Sequence, residues 1–258
     1  MAVIFATRRH PDQVWRPPPT ARYLKEGRTI HQHAIVDVDD PRRLFTSGGG
    51  NRKVGAFVSK GEWRGMPIFL LTLEERATCP RSCAQWDTCY GNATPFARRW
   101  THGPELERRL EKDLAELMLR HPGGAVVRLH QLGDFYSVAY VKLWERWLDR
   151  YPALRVYGYT ARRKHSPIGQ AILALTLVRW NRFAIRFSSC HGPESASVIW
   201  HLPDGPTVRG GIVCPEQLGK TSSCGSCALC WAAGARGREI VFIGHGPYLA
   251  PTCQPSRI

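Results

Sequence analysis

Seven of the nine cysteines fall into two short groups, and close thiol spacing of this kind argues for metal or redox chemistry rather than disulfides. The first group is Cys79, Cys83 and Cys89 in TCPRSCAQWDTCYGN, with no fourth thiol beside it. Three thiolates on a cubane cluster leave one iron open to a substrate or cofactor. The alternative is a structural zinc, completed by His102 or another distant residue. The second group is Cys214, Cys224, Cys227 and Cys230 in CPEQLGKTSSCGSCALCW. A Cys-x2-Cys-x2-Cys run suits a coil wrapped round a four-iron cluster, with successive thiolates on different irons. A zinc site more often takes its ligands as separated pairs. Gly219, Gly225, Ser223, Ser226 and Ala228 are small enough for the coil to curl closely. Four ligands close this second site, which makes it structural or electron-relaying. The expectation is two four-iron clusters, with zinc as the alternative. Cys190 and Cys253 are left over, and a lone buried thiol is the commoner fate of such residues.

Other chemistry-bearing residues cluster where strands should end. Asp134 in GDF could orient a substrate amine or hydroxyl, though a turn or cap role is as natural for an isolated Gly-Asp. His130 could move a proton, or sit satisfied in the core. Arg162 and Arg163 could hold a carboxylate or phosphate. Asp134, His130 and Arg162 are therefore the catalytic candidates. Gly133, Thr160 and Tyr90, which follows Cys89, are the positions expected to line a cofactor. Asn51, Arg52 and Lys53 follow three glycines, but lack the spacing of a phosphate loop and read as a flexible basic loop.

These residues must be positioned by a frame, and the hydrophobic pattern supplies one. MPIFLLTL (66–73) has the length and composition of a strand. Residues 104–120 read as a helix, with Pro104 in its first turn and Leu106, Leu110, Leu114 and Leu117 on one face. AVVRLHQ (125–131) is a strand, Ser137 caps a helix to Tyr151, RVYGYT (155–160) is a strand, and Pro167 opens a helix to about Val178. RFAIRFSS (182–189) follows, then shorter strands at 196–202, 210–213 and 239–243. This alternation implies an α/β fold with parallel pairing, as an open sheet or a partial (β/α) barrel. Residues 1–64, with WRPPPT and SGGGNRK, read as an irregular N-terminal extension. Residues 65–210 form the α/β core carrying the first cysteine group, and 211–258 a Cys-rich auxiliary metal-binding region.

At 258 residues and 43% hydrophobic content, the chain can bury a sizeable core. No stretch approaches the ~20 apolar residues of a membrane span. The N-terminus lacks the pattern of a signal peptide, so a cytoplasmic protein is expected. A formal charge of +15, carried mostly by Arg, attracts polyanions and makes DNA or RNA a candidate partner.

TCPRSCAQWDTCYGNA, VRLHQLGDF, YGYTAR and GIVCPEQLGKTSSCGSCALCW together resemble the "gene product eighty-eight" family of phages, plasmids and prophages, from about Asn51 to His245. That resemblance implies a mobile-element setting and two functional cysteine units. A looser similarity of layout is to radical SAM enzymes, which place three cluster cysteines after the first strand of a partial barrel and often add an auxiliary cluster. It implies S-adenosylmethionine at the open iron and an electron donor. The spacing here differs from that family's usual three-then-two pattern, and its glycine-rich strand is missing unless Gly133-Asp134 substitutes.

Three functions compete. The first is a redox or radical enzyme with one accessible and one closed cluster, acting on a nucleotide or nucleic acid. The second is a non-catalytic nucleic-acid binder braced by zinc or iron–sulfur sites. A zinc nuclease or deaminase ranks last, because the His-x-Glu partner of zinc deaminases is missing.

Overall fold

A computed structural model describes residues 21–188, 192–199 and 211–243. WRPPPT, Cys190, Cys253 and the end of the strand expected at 196–202 lie outside the described residues.

The chain runs through β1 (Ile35–Val36), β2 (Thr46–Ser47), β3 (Ile68–Leu71), β4 (Arg99–Trp100), β5 (Ala125–Leu129), β6 (Leu154–Thr160), β7 (Phe183–Phe187), β8 (Ala196–Ile199), β9 (Ile212–Val213) and β10 (Ile240–Ile243). Its helices are α1 (Arg22–Glu26), α2 (Pro104–Arg120), α3 (Val138–Arg150), α4 (Pro167–Arg179) and α5 (Cys224–Cys227). The main sheet has the order β2-β3-β5-β6-β7. β3, β5, β6 and β7 are parallel, and β2 pairs antiparallel with β3. It is an open α/β sheet with β2 and β7 at its edges. A second, all-parallel sheet, β8-β10-β9, is joined to it by a bridge between Phe187 and Ser195.

The long helices form where their ends are chemically marked. Ser137 accepts a hydrogen bond from the Tyr140 amide and starts α3, Ser166 does the same from Gly169 for α4, and Pro104 and Pro167 occupy first turns. Because α2, α3 and α4 each connect neighbouring parallel strands, crossovers of one hand stack them on one face. There Leu110, Leu114, Trp144, Leu148 and Ile172 pack with Val127, Leu129, Val156 and Ile185. Alternate strand positions point the other way. On that second face Ile68, Leu70, Val126, Tyr157 and Ala184 pack with Val54, Val58 and Trp63 from the N-terminal segment, and with Ala228 and Trp231 from the Cys-rich coil. The sheet is thus covered on both faces, which explains why its strands are almost continuously apolar.

The Gly-rich stretch before Val54 is not a free basic loop. The Lys53 carbonyl accepts from the Cys224 amide at 2.7 Å, and the Val54 carbonyl from Gly225 at 3.0 Å. Lys53 also pairs with Glu216 at 3.8 Å. The docking is close enough that a Cβ on Gly225 would lie 2.1 Å from the Phe57 carbonyl oxygen.

Candidate metal centres

The first cysteine group sits on the long loop between β3 and β4, at the C-terminal edge of the sheet. Arginines aimed at backbone carbonyls and carboxylates hold that loop. Arg99 and Glu75 form a fully buried ion pair at 2.7 Å, and Arg99 also donates to the carbonyls of Gly91 and Thr94. Arg76, at φ +67°, donates to the Trp86 carbonyl and to Asn92 Oδ1 at 2.7 Å. Arg81 reaches the carbonyls of Leu24 and Lys25 and lies over the Trp86 ring.

Asp134 fastens this loop to the two adjacent strand ends. Its carboxylate accepts from the amides of Phe135 and Ala161 and from the Thr160 hydroxyl, each at 2.7 Å. Its own amide donates to Thr78 Oγ1, which in turn donates to the Glu74 carbonyl. Arg162 adds a strap, donating to the carbonyls of Phe135 at 2.8 Å and Thr78 at 2.6 Å. Gly133 has φ +83°, and a Cβ there would meet Leu73 and Thr78 at 2.7 Å. Asp134, Arg162, Thr160 and Gly133 are therefore brought together, directly behind Cys79. Burial pushes the Asp134 carboxyl up to about 6, against the pull of its three donors.

His130 is elsewhere. Its Nε2 lies 3.1 Å from the Tyr140 hydroxyl, its Nδ1 is buried without a partner, and its ring packs between Phe135 and Tyr140. Burial lowers its pKa to about 3, so the ring is neutral. It belongs to the aromatic core beneath the helices. His102 is exposed, its ring tilted against Tyr136 with centroids 5.1 Å apart.

The second group is built from β9, α5 and the turn after it. Ser223 and Ser226 make a reciprocal capping box at the start of α5. Ala228, at φ +58°, ends it by donating its amide to the Cys224 carbonyl. The coil is anchored from the sheet. Arg186 of β7 is fully buried and donates to the carbonyls of Cys230, Ala235 and Arg238 at 2.8–2.9 Å. Trp231 stacks on Trp63, with ring centroids 5.2 Å apart and planes 4° from parallel. The Tyr159 hydroxyl donates to Cys230 Sγ at 2.9 Å.

All seven cysteines are free, and six are half-buried while Cys214 is buried. Burial raises the thiols of Cys79, Cys83, Cys214 and Cys230, and takes Cys89 and Cys224 up to about 12. Positive charge reaches the thiols from Arg76 at Cys83 and Cys89, from Lys53 at Cys214, from Arg128 and then Lys53 at Cys224, and from Arg186 and Arg128 at Cys230. Soft donors, small neighbours and nearby cations form a donor set that suits an anionic iron–sulfur centre. Among the described residues, no group of three or more His, Cys, Asp or Glu is arranged to hold a metal ion.

Tyr90 stands beside the first group. Its ring is half exposed, and its hydroxyl, raised by burial, feels the charges of Arg128, Cys89 and Cys79. Arg128, central in β5, is in turn within electrostatic reach of Cys224. Sequence reasoning passed over Arg128, Arg186, Glu75 and Arg99. A lone Arg inside the apolar run AVVRL was the available signal for Arg128.

Among the described residues no helix is long and apolar enough to cross a membrane. No curated protein and no solved structure matches the chain. The family model described as Gene product 88 matches residues 45–175, about half the chain. The match takes in the first cysteine loop, Arg128 and the Asp134–Thr160–Arg162 knot, and the chain belongs to the Gene product 88 family.

Proposed function

We propose that this chain is an iron–sulfur protein with a substrate-accessible cluster on Cys79, Cys83 and Cys89 and a closed auxiliary cluster on Cys214, Cys224, Cys227 and Cys230, working as a redox enzyme. The observation that carries the reading is that two sequence-distant thiol groups lie on one sheet, the first on the loop after β3 at its C-terminal edge and the second on the coil packed against its face through Ala228 and Trp231. When bound, such centres supply electron transfer and, at an iron lacking a protein ligand, a Lewis-acidic position.

The protein's own residues do the rest. The Asp134, Thr160 and Arg162 knot holds the first loop at the strand ends, so these are positioning residues. Arg76, Lys53 and Arg186 offset thiolate charge. Tyr159 donates to a ligand sulfur. The neutral thiols must lose protons on loading, so metal uptake strengthens as pH rises. Ligand thiols kept reduced call for a compartment such as the cytoplasm.

The test is anaerobic purification and reconstitution, with iron, acid-labile sulfide, zinc and the visible and paramagnetic resonance spectra measured together. About eight irons and eight sulfides per chain, the content of two four-iron clusters, support the reading. A colourless protein with stoichiometric zinc overturns it. The narrower assignment, reductive cleavage of S-adenosylmethionine at the open iron, rests on the position of the first loop after β3, and release of methionine from the reduced protein decides it.

A second reading is favoured by the +15 charge: a nucleic-acid binder in which the metal sites brace loops. It requires DNA or RNA affinity that falls steeply with salt and is indifferent to cluster reduction.

A further inference from the structure

Arg128 is an unusual residue for the centre of a parallel strand. It lies directly opposite Leu70 of β3 and Tyr157 of β6, on the face turned toward the Cys-rich coil. Arg128 is half-buried, and those of its five donors that solvent cannot reach need acceptors. Its enclosed Nε has none. Among the described residues Arg128 makes no hydrogen bond or ion pair. Its charge is felt most strongly by Tyr157, Tyr90, Cys224 and Tyr159, none of them a carboxylate. Its one described partner is the Tyr159 ring, 5.9 Å from Cζ to centroid.

One neighbouring polar group shares the condition. The Tyr157 hydroxyl is buried without a hydrogen bond. Two adjacent strands, β5 and β6, thus contribute enclosed donors with no acceptor to receive them. The half-exposed Tyr90, within electrostatic reach of Arg128, adds a solvent-reached hydroxyl to the same surroundings. Unmade hydrogen bonds of this kind are costly, more so for a charged group, so an acceptor-rich ligand is the natural complement.

The second thiol group answers that demand only in part. Arg128 is the foremost cation at Cys224, with Lys53 and Arg186 beside it in the group, but no sulfur accepts from Arg128 Nε or from the Tyr157 hydroxyl. A nucleic-acid backbone is a poor candidate for that acceptor, since a single half-buried guanidinium has no way to follow successive phosphates. We infer that Arg128, with Tyr157 and Tyr90, forms a binding site for one oxyanion, a phosphate or carboxylate, of a small-molecule substrate held between the two cysteine groups. The site is made of the chain's own donors and stands whichever metal the thiols hold.

The test titrates the protein, as isolated and after anaerobic reconstitution, with inorganic phosphate and separately with acetate at fixed ionic strength. Tryptophan fluorescence reads binding, because Trp231 lies 4.4 Å from the Tyr157 ring. Saturable binding of either anion is expected, and the anion that binds more tightly separates phosphate from carboxylate. Arg128→Gln should weaken it by about tenfold or more, as loss of a charge-assisted hydrogen bond does. Tyr157→Phe should weaken it less, and Arg146→Gln on exposed α3 should leave it unchanged. If Arg128→Gln fails to fold, Arg128→Lys and Tyr157→Phe decide the matter. Absence of saturation in the wild type, or equal affinity in the Arg128 variants, overturns the site. Binding that disappears on reconstitution also overturns it, since the loaded cluster would then be the counter-ion. Iron content is read independently, so a protein without iron refutes the cluster reading and leaves this one standing.

Discussion

Tyr159 of β6 and Cys230 of the coil are joined by a hydrogen bond of 2.9 Å from the phenol to the sulfur. Burial and the neighbouring thiols Cys230 and Cys224 keep the phenol protonated, so it remains a donor. A donor to a cluster thiolate stabilises the reduced, more negative state. Tyr159→Phe should lower the midpoint potential of the auxiliary centre by roughly 20–60 mV, a hydrogen bond's worth for a one-electron couple, with iron content unchanged. A potentiometric titration followed by paramagnetic resonance reads the shift. An unmoved potential would mean that Cys230 is no ligand.

The two groups should load independently. Cys227→Ser with Cys230→Ser removes half the ligands of the second site and none of the first, so iron and sulfide should fall by about half. Cys83→Ser should remove the other half and abolish substrate-dependent spectral changes. Loss of all iron from either variant would show one shared centre instead of two.

What was legible in the sequence was whatever repeats locally. Leu106, Leu110, Leu114 and Leu117 mark α2 by spacing alone, and Ser137 and Pro167 mark helix starts by chemistry that acts within one turn. The strands announced themselves because a parallel sheet covered on both faces needs apolar residues at nearly every position. What escaped depends on distant partners. Lys53 and Val54 look like the end of a flexible loop until the Cys224 and Gly225 amides dock on them. Arg99, Arg186 and Arg128 resemble any of the chain's many arginines, and only the fold separates the buried Arg99 and Arg186 and the half-buried Arg128 from the rest. Asp134 was readable as site or turn, and its three accepted hydrogen bonds make it a knot between strand ends.

That knot has its own consequence. Asp134→Asn turns one acceptor oxygen into an amide donor facing a hydroxyl or a backbone N–H, which should cost about 1–3 kcal/mol in urea unfolding at pH 7. Because Thr78 and Arg162 tie the knot to the Cys79 loop, iron at the first site should be lost preferentially over iron at the second. Equal loss from both would assign Asp134 to general stability alone.

The Glu75–Arg99 pair anchors the far side of the same loop. Both partners are fully buried, and removing one strands the other without compensation. Arg99→Met or Glu75→Gln should destabilise the protein by about 3–5 kcal/mol, and the double substitution by less than the two singles added together. Additive losses would show that Arg99 works through the Gly91 and Thr94 carbonyls and not through Glu75.

His130 gives stability a pH dependence of definite sign. Its pKa falls from 6.5 in the open chain to about 3 in the folded protein because burial disfavours the charged ring. The unfolded state therefore takes up a proton below 6.5 that the native state refuses. The contribution is fully present above pH 6.5 and is lost as pH falls toward 3, by up to about 1.4 kcal/mol per pH unit. His130→Phe keeps an aromatic ring between Phe135 and Tyr140 but takes up no proton. It forfeits the Tyr140 hydrogen bond, so it should be less stable than wild type near neutrality. Its stability should decline more shallowly between pH 6.5 and 4, and the two curves should converge as the solution is acidified. Urea unfolding at half-unit pH steps measures both slopes, and parallel curves would mean that the folded protein lets His130 ionise.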